Sequence, residues 1–450
     1  MGRTVIELRR MIGWFGFVVL GASFCLPVGA QDATYDLLLK GGHVIDPANQ
    51  LDQPMDVAIA GDRIAAVAAN IPAEDARRVV DVAGHYVTPG FIDLHAHAQG
   101  SRIVGRESIP PSLHFASGAT TVVDAGTWGA LDFRVFKETV VETTPIRVLA
   151  LLNIVSRGMS AQAAGSFEQS VDLMDPELCA ATIQENRDIL VGVKTAHYWT
   201  SRPWDSAHPP WAAVERAVEA GRIADVPVMV DFWPRPPERS YSELILEKLR
   251  PGDIHTHVFA QQFPILDAEG HVQDYLRQAR ERGVIFDLGH GAGSFWFRNA
   301  APAVQQGFLP DTISTDLHMG NVNGPVVDFI TTMSKMLALG VPLEDLVRRA
   351  TVNPARVIHR PELGTLTVGG EADVAVVELL HGKFGYTDCG RAKMIGKVKL
   401  ANRLTLRAGR IVYDPTGLSM VEWQKAPPRY FTTPKLQGVD PAAIAEPDAK

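Results

Sequence analysis

Cysteine is scarce in this sequence: three in 450 residues, at positions 25, 179 and 389. They are too few and too far apart for a disulfide framework, and none is paired at the spacing of a thiolate metal site. Runs of like charge are also missing. The 43 Lys and Arg and 51 Asp and Glu are interspersed, for a net charge of −8. That excludes a basic nucleic-acid surface or an anionic-membrane patch as an organising feature. A membrane anchor would want roughly 20 uninterrupted apolar residues. The longest apolar segment, "MIGWFGFVVLGASFCLPVGA" at 11–30, is broken by Gly, Ser and Pro. What remains is ordinary globular material, 46% hydrophobic and 21% charged, at a length that favours two structural units over one.

The apolar segment follows a short, mostly basic lead, "MGRTVIELRR", and ends in the small residues Val28-Gly29-Ala30. Residues 1–30 therefore read as a cleaved secretory signal, and the mature chain is expected in a secreted or periplasmic setting without stable membrane insertion. Phe24, bulky and directly before Cys25, weighs against a lipoprotein reading.

The mature sequence has a rhythm. "GFIDLHAH", "GATTVVDAG", "RVLALLNIVS", "ILVGVKTAH", "VPVMVDF", "GDIHTHVF", "GVIFDLGH" and "DTISTDLH" are short runs rich in Val, Ile, Leu and Phe. Between them lie segments of helical period. "WAAVERAVEAGRIA" places Trp211, Val214, Ala217, Val218 and Gly221 on one face, and "HVQDYLRQARERG" and "FRNAAPAVQQG" each close on a glycine suited to end a helix. Eight near-continuous apolar runs alternating with helices predict an α/β fold, a (β/α)8 TIM barrel spanning 87–362. The flanks, 31–86 and 363–418, instead alternate short strands with Gly, Asp-Pro and Gly-Asp turns, and predict one small β-sandwich domain built from both chain ends. Residues 419–450 read as a Pro- and Ala-rich tail.

In such a barrel the chemistry sits at the carboxyl ends of the strands. Those ends carry His95 and His97, Lys194, Asp231, His255 and His257, His290, and Asp316 with His318. Residues i and i+2 of a strand face the same way, so His95 and His97 are expected to point together into the barrel mouth; the same spacing puts His255 and His257 on one side. Lys194 ends an apolar run in which a bare ammonium is costly. Either it snorkels to solvent or pairs with an acid, or modification or a metal removes its charge.

"VTPGFIDLHAH", the lysine of "GVK", "THVF", "STDLH" and the split β flank resemble the amidohydrolase superfamily. More narrowly, "GDIHTHVF", "GVIFDLGHGAGSFWF" and "DTISTDLH" in this order resemble its dihydroorotase-like amidohydrolase/deacetylase branch. The resemblance implies that His95, His97 and Asp316 bind one divalent ion and His257 a second. It also implies that Lys194, carboxylated by carbon dioxide, bridges the two, with zinc the metal best suited to imidazole and carboxylate donors. One position departs from the pattern. The fifth strand of such enzymes usually ends in a histidine ligand, whereas here Asp231 stands there. Asp231 as the ligand, His197 as its substitute, and a site with one metal are the alternatives.

A water shared by two such ions would ionise near neutral pH and act as the nucleophile, with Asp316 shuttling its proton to the leaving group. That chemistry implies a hydrolase of carbon–nitrogen bonds other than peptide bonds, with ester cleavage open to the same site. For the small-molecule substrate, "GHGAGSFWF" offers His290, Gly291 and Ser294 at a turn able to bind a carboxylate, and His318 lies beside Asp316. "HYWTSRPWDSAHPPW" adds three tryptophans over the barrel mouth. An N-acyl amino acid, a cyclic amide or an acylated hydroxy acid fits these features. A one-metal lyase or isomerase, or a binding protein without catalysis, are the competing classes. A homo-oligomer is compatible with the sequence.

Overall fold

The computed structural model describes residues 33–98, 109–159 and 167–431. The expected signal at 1–30 and most of the expected tail lie outside the described residues. In chain order the strands are β1 Leu37–Asp46, β2 Leu51–Ala60, β3 Arg63–Ala68, β4 Val79–Asp81, β5 Tyr86–Pro89, β6 Phe91–Ala96, β7 Ala119–Gly129 and β8 Arg147–Asn153. They continue with β9 Leu190–Lys194, β10 Val228–Val230, β11 Ile254–His255, β12 Ile285–Phe286, β13 Val374–Thr387, β14 Lys393–Arg407 and β15 Arg410–Tyr413.

Two sheets result. The first has eight strands in the order β15-β14-β13-β5-β1-β2-β3, with β4 paired to β1. It joins residues from both flanks, because β5 runs antiparallel to β13 in the register Val87↔Val376. The alternating apolar residues of these strands, among them Val44, Val57, Ile59, Val87, Val374 and Leu404, close over a core of their own. The second sheet holds β6 to β12 in sequential order, and every pairing that links them is parallel. Its strands are buried nearly throughout, which explains their unbroken apolar composition.

The eighth apolar run forms no ladder. It bridges the sheet at both edges instead, Thr312 to Asp287 and Leu317 to Ala96, so the sheet curls toward itself. Polar side chains anchor this segment: Thr315 donates through Oγ1 to Asp93 (2.5 Å), while Thr312 and Ser314 donate to Asp287 at 2.6 and 2.7 Å. Hydroxyls inward of an apolar strand would be costly unpaired, and two buried carboxylates absorb them. Where the two sheets meet, Arg147 and Arg407 share the carboxylates of Glu371 and Asp373.

The helix expected from "WAAVERAVEAGRIA" runs over Ala212–Ala224. Its left-handed terminating residue is Asp225 (φ 54°). Gly221 sits inside the helix on its packed face, where a Cβ would come within 2.6 Å of Val228 Cγ2; the glycine permits close helix–strand contact. Among the described residues no helix is long and apolar enough to cross a membrane.

Gly129, the last residue of β7, holds the ends of β7 and β8 together. A Cβ there would lie 2.2 Å from the Val155 carbonyl oxygen and 2.4 Å from the Gly158 nitrogen. Both obstacles are backbone and cannot rotate away. Gly129→Ala is expected to cost about 3 kcal/mol of stability, read as a lower urea midpoint by circular dichroism. An unchanged midpoint would mean the loops separate freely.

Candidate metal centre

Two carboxylate oxygens, each ringed by imidazole nitrogens, lie at the carboxyl ends of the parallel strands. Around the first, Asp316 Oδ1, are His97 Nε2 at 3.1 Å and His95 Nε2 at 3.6 Å. Strand alternation places both imidazoles on one side, as the spacing predicts. Asp316 reaches them from the bridging segment in a left-handed conformation (φ 49°), with its amide on the His95 carbonyl and its own carbonyl held by the Asn321 side chain. Around the second, Asp231 Oδ2 at the end of β10, are His197 Nε2 at 2.8 Å, His257 Nε2 at 3.4 Å and Lys194 Nζ at 3.9 Å. His257 also ties the clusters together, because His95, His257 and Asp316 each present a ligand atom within 4.8 Å of the others'.

The far side of each ring decides what its Nε2 can do. Thr256 gives its hydroxyl proton to Asp287 (2.7 Å), so its oxygen accepts the Nδ1–H of His95 (2.9 Å). His257 Nδ1 faces the Gly289 carbonyl and His197 Nδ1 faces the Glu168 carboxylate, both able only to accept. His97 Nδ1 lies 2.8 Å from Thr127 Oγ1. In the neutral rings of His95, His257 and His197 the proton therefore sits on Nδ1, and Nε2 turns a lone pair toward a carboxylate oxygen. Lone pair against lone pair is repulsive, and either a second ring proton, as at His197, or a metal ion between the groups removes the repulsion. Imidazoles oriented by a hydrogen bond at the other nitrogen are the arrangement that metal-ligating histidines adopt. The donor set of imidazoles and carboxylates thus fits divalent ions.

The electrostatics differ between the rings. Against its burial, Glu168 and Asp231 draw the His197 imidazole up to about 10, and Asp231 raises that of His257, so without a metal the carboxylates already gather positive charge here. Burial pushes the His95 imidazole down to about 4 against the pull of Asp316, so the ring is neutral at pH 7. Burial alone would raise the Asp316 and Asp231 carboxyls. The imidazoles beside them, His95 and His97 at one and His257 and His197 at the other, instead hold both well below the usual carboxylate range. Both carboxylates are ionised and ready to bind a cation.

Lys194 is buried, 1% exposed, with its stem lying across Gly126. Gly126 has φ 83°, and a Cβ there would be 2.6 Å from Lys194 Cγ and 2.7 Å from its Cβ. Gly126→Ala is expected to displace the lysine and lower metal affinity at least about tenfold, measured by chelator competition. Affinity equal to the parent's would show that the stem can shift without consequence.

The remaining residues singled out in the sequence have varied surroundings. His255 does not face the site. Its Nε2 meets the Tyr241 hydroxyl at 2.9 Å and its ring packs edge-on to Phe263. The i, i+2 rule fails here because β11 ends at His255 and His257 is left-handed (φ 63°). His290 is buried and stacked on Phe295 at 4.6 Å; its Nδ1 donates to the Gly291 carbonyl and its Nε2 accepts from Lys335 Nζ at 2.7 Å. That pair occupies both ring nitrogens, so His290 supports the glycine turn from behind. Gly291 lies against the acid itself: a Cβ there would meet Asp316 Oδ2 at 2.7 Å and Ser294 Oγ at 3.3 Å. The His318 ring lies 6.2 Å from that of His97. Of the three loop tryptophans, Trp211 is buried on Phe232 and Trp204 lies under the Arg235 guanidinium. Trp199 is 42% exposed and stacks at 5.5 Å on Trp233, itself 39% exposed, with His197 alongside.

Sequence reasoning missed Glu168, Thr256 and Asp287. Asp287 breaks the apolar run "GVIFDLGH" as Asp231 breaks "VPVMVDF", which was a usable signal. Glu168 stands alone beyond an Ala- and Gly-rich stretch, and nothing local marks it.

A deacetylase of Enterococcus faecalis is 31% identical to this chain over 385 residues, covering 84% of this chain and 99% of its own length. The chain belongs to the amidohydrolase superfamily. The amidohydrolase family match itself spans residues 297–412. A deacetylase of Agrobacterium fabrum is 35% identical over 339 residues, 74% of this chain and 80% of its own. A crystal structure described as a dihydroorotase is 32% identical with a TM-score of 0.72, covering 84% of this chain and 99% of that one. The amidohydrolase described here is accordingly a hydrolase of carbon–nitrogen bonds other than peptide bonds, with a TIM-barrel-type fold, a sheet domain and a small-molecule substrate.

Proposed function

We propose that this amidohydrolase is metal-dependent and cleaves the acyl bond of a small N-acyl amino acid, a cyclic amide or an acylated hydroxy acid. The observation that carries this reading is the pair of carboxylate oxygens, Asp316 Oδ1 and Asp231 Oδ2, toward which imidazole Nε2 atoms converge with their Nδ1 sides held. His95, His97 and Asp316 would hold one ion and His257 and Asp231 the other, with Lys194, as a carbamate, between them. Bound there, divalent ions such as zinc supply a nucleophile by acidifying a water, and they polarise the scissile carbonyl.

The chain's own residues supply the rest. Asp316, ionised, takes a proton at its carboxylate and returns it to the leaving nitrogen or oxygen. Oδ2 faces Gly291, whose missing side chain leaves room for a substrate group against it. The glycine turn and Ser294 lie next to that oxygen and suit the substrate's polar end. Trp199 and Trp233, stacked and exposed near Asp231, suit an aryl or extended acyl end. The deacetylase names of the two relatives support an acetyl group as the acyl part.

We read the curled sheet, with 311–318 as its eighth member, as a (β/α)8 barrel, and the sheet joining both flanks as a β-sandwich-type domain. Residues 1–30 support export.

The test is acid release from a panel of acetylated D- and L-amino acids, cyclic amides and acetylated hydroxy acids, using purified zinc-loaded enzyme prepared with bicarbonate. Turnover of one class, abolished by a chelator and restored by metal, is the expected result. No release from any member would sink the proposal.

A further inference from the structure

Resting on that two-ion reading, we infer that His197, which follows β9 in the chain, is a ligand of the second ion, with Glu168 as the carboxylate that orients it. β10, Val228–Val230, is followed directly by Asp231, a carboxylate rather than an imidazole. His197 comes to the same point from another element. Its Nε2 is 2.8 Å from Asp231 Oδ2, closer than His257 Nε2 at 3.4 Å or Lys194 Nζ at 3.9 Å.

The ring is held from behind by an unusual grip. Glu168, 3% exposed, receives Nδ1 on both oxygens, at 3.0 and 3.1 Å, and the His197 backbone N–H at 3.0 Å. Gln169, the next residue, donates to the His197 carbonyl at 2.6 Å. Two consecutive side chains thus clamp one histidine through its ring, its amide and its carbonyl. A residue needed only as a surface contact would not be gripped this way.

A buried carboxylate on Nδ1 fixes the proton there and leaves Nε2 basic, the pattern of a carboxylate–histidine–metal relay. His197 Nε2 and His257 Nε2 both face Asp231 Oδ2, at 2.8 and 3.4 Å, and Lys194 Nζ lies 3.9 Å from the same oxygen. Three protein ligands with an open place suit a catalytic ion. Glu168 is a positioning residue in this arrangement.

The test is metal titration of metal-depleted, full-length mature enzyme with Zn2+ against a chromophoric chelator. It is paired with zinc X-ray absorption to count imidazoles per ion. His197→Gln should retain the first ion, bind the second at least about 100-fold more weakly, and show fewer imidazoles per zinc. Glu168→Gln, which leaves His197 in place, should weaken the second ion by about 10- to 100-fold. It also keeps the inference testable if the His197 variant fails to fold by circular dichroism. A parent enzyme that binds two ions, with affinities within about twofold in both variants, would overturn the inference and leave the metal-dependent reading standing. A parent that binds no zinc would overturn both. A single ion unaffected by His197→Gln would overturn the role of His197 alone.

Discussion

Asp316→Asn is expected to lower the turnover of the metal-loaded enzyme by about 1000-fold without unfolding it. The backbone of residue 316 is fixed independently of its side-chain charge: its amide donates to the His95 carbonyl and its carbonyl accepts from Asn321 at 2.7 Å. An asparagine keeps that shape. It loses the charge that faces His97 Nε2 at 3.1 Å and His95 Nε2 at 3.6 Å, and with it the ability to take a proton. The measurement is kcat on the substrate found by the panel, with metal content read on the same sample. A kcat within about tenfold of the parent, at full metal content, would remove Asp316 from proton transfer.

On the proposed two-ion reading, Lys194→Ala should cost the enzyme its metals rather than its fold. In the structure the lysine is buried at 1% exposure and its nearest acid, Asp231, is 3.9 Å away. An ammonium so placed, beside donors that face a cation, would repel the metals; a carbamate at the same nitrogen would attract both. Metal content is expected to fall from about two ions per chain to about one or none, and added bicarbonate should not restore it. Activity should fall with content. Full content in Lys194→Ala would rule out the carbamate bridge and make Asp231 with the imidazoles sufficient.

Both residues are legible in the amino-acid sequence, and the reason is local. A strand that must be apolar on both faces marks its own end where polar residues begin. His95, His97, Lys194 and Asp231 can each be placed at such an end by reading along the chain. Asp316 is legible for the same reason, although the segment bearing it forms bridges rather than a ladder. The run of apolar segments also conveys the α/β class, since near-continuous burial and helical spacing are properties of each segment by itself.

What lay beyond reach depended on where the backbone turns after a strand stops. His255 and His257 share a spacing with His95 and His97, yet only His257 turns inward. β11 ends at His255, two residues short of His257, so alternation does not hold, and the left-handed backbone of His257 re-aims its side chain. His290 has the look of a substrate contact in the sequence, but Lys335, 45 residues on, takes its Nε2. Trp233 becomes half of an exposed stack only where the β10 end meets the loop after β9.

Glu168 is the clearest case: an isolated acid, far from every motif, whose partner His197 is 29 residues away. By itself the sequence determined which chemistry the strand ends carry, because burial and polarity are written residue by residue. The tertiary structure alone decided which of those groups meet and which are held from behind. Those contacts join distant segments, and their directions follow from turns that no periodicity encodes.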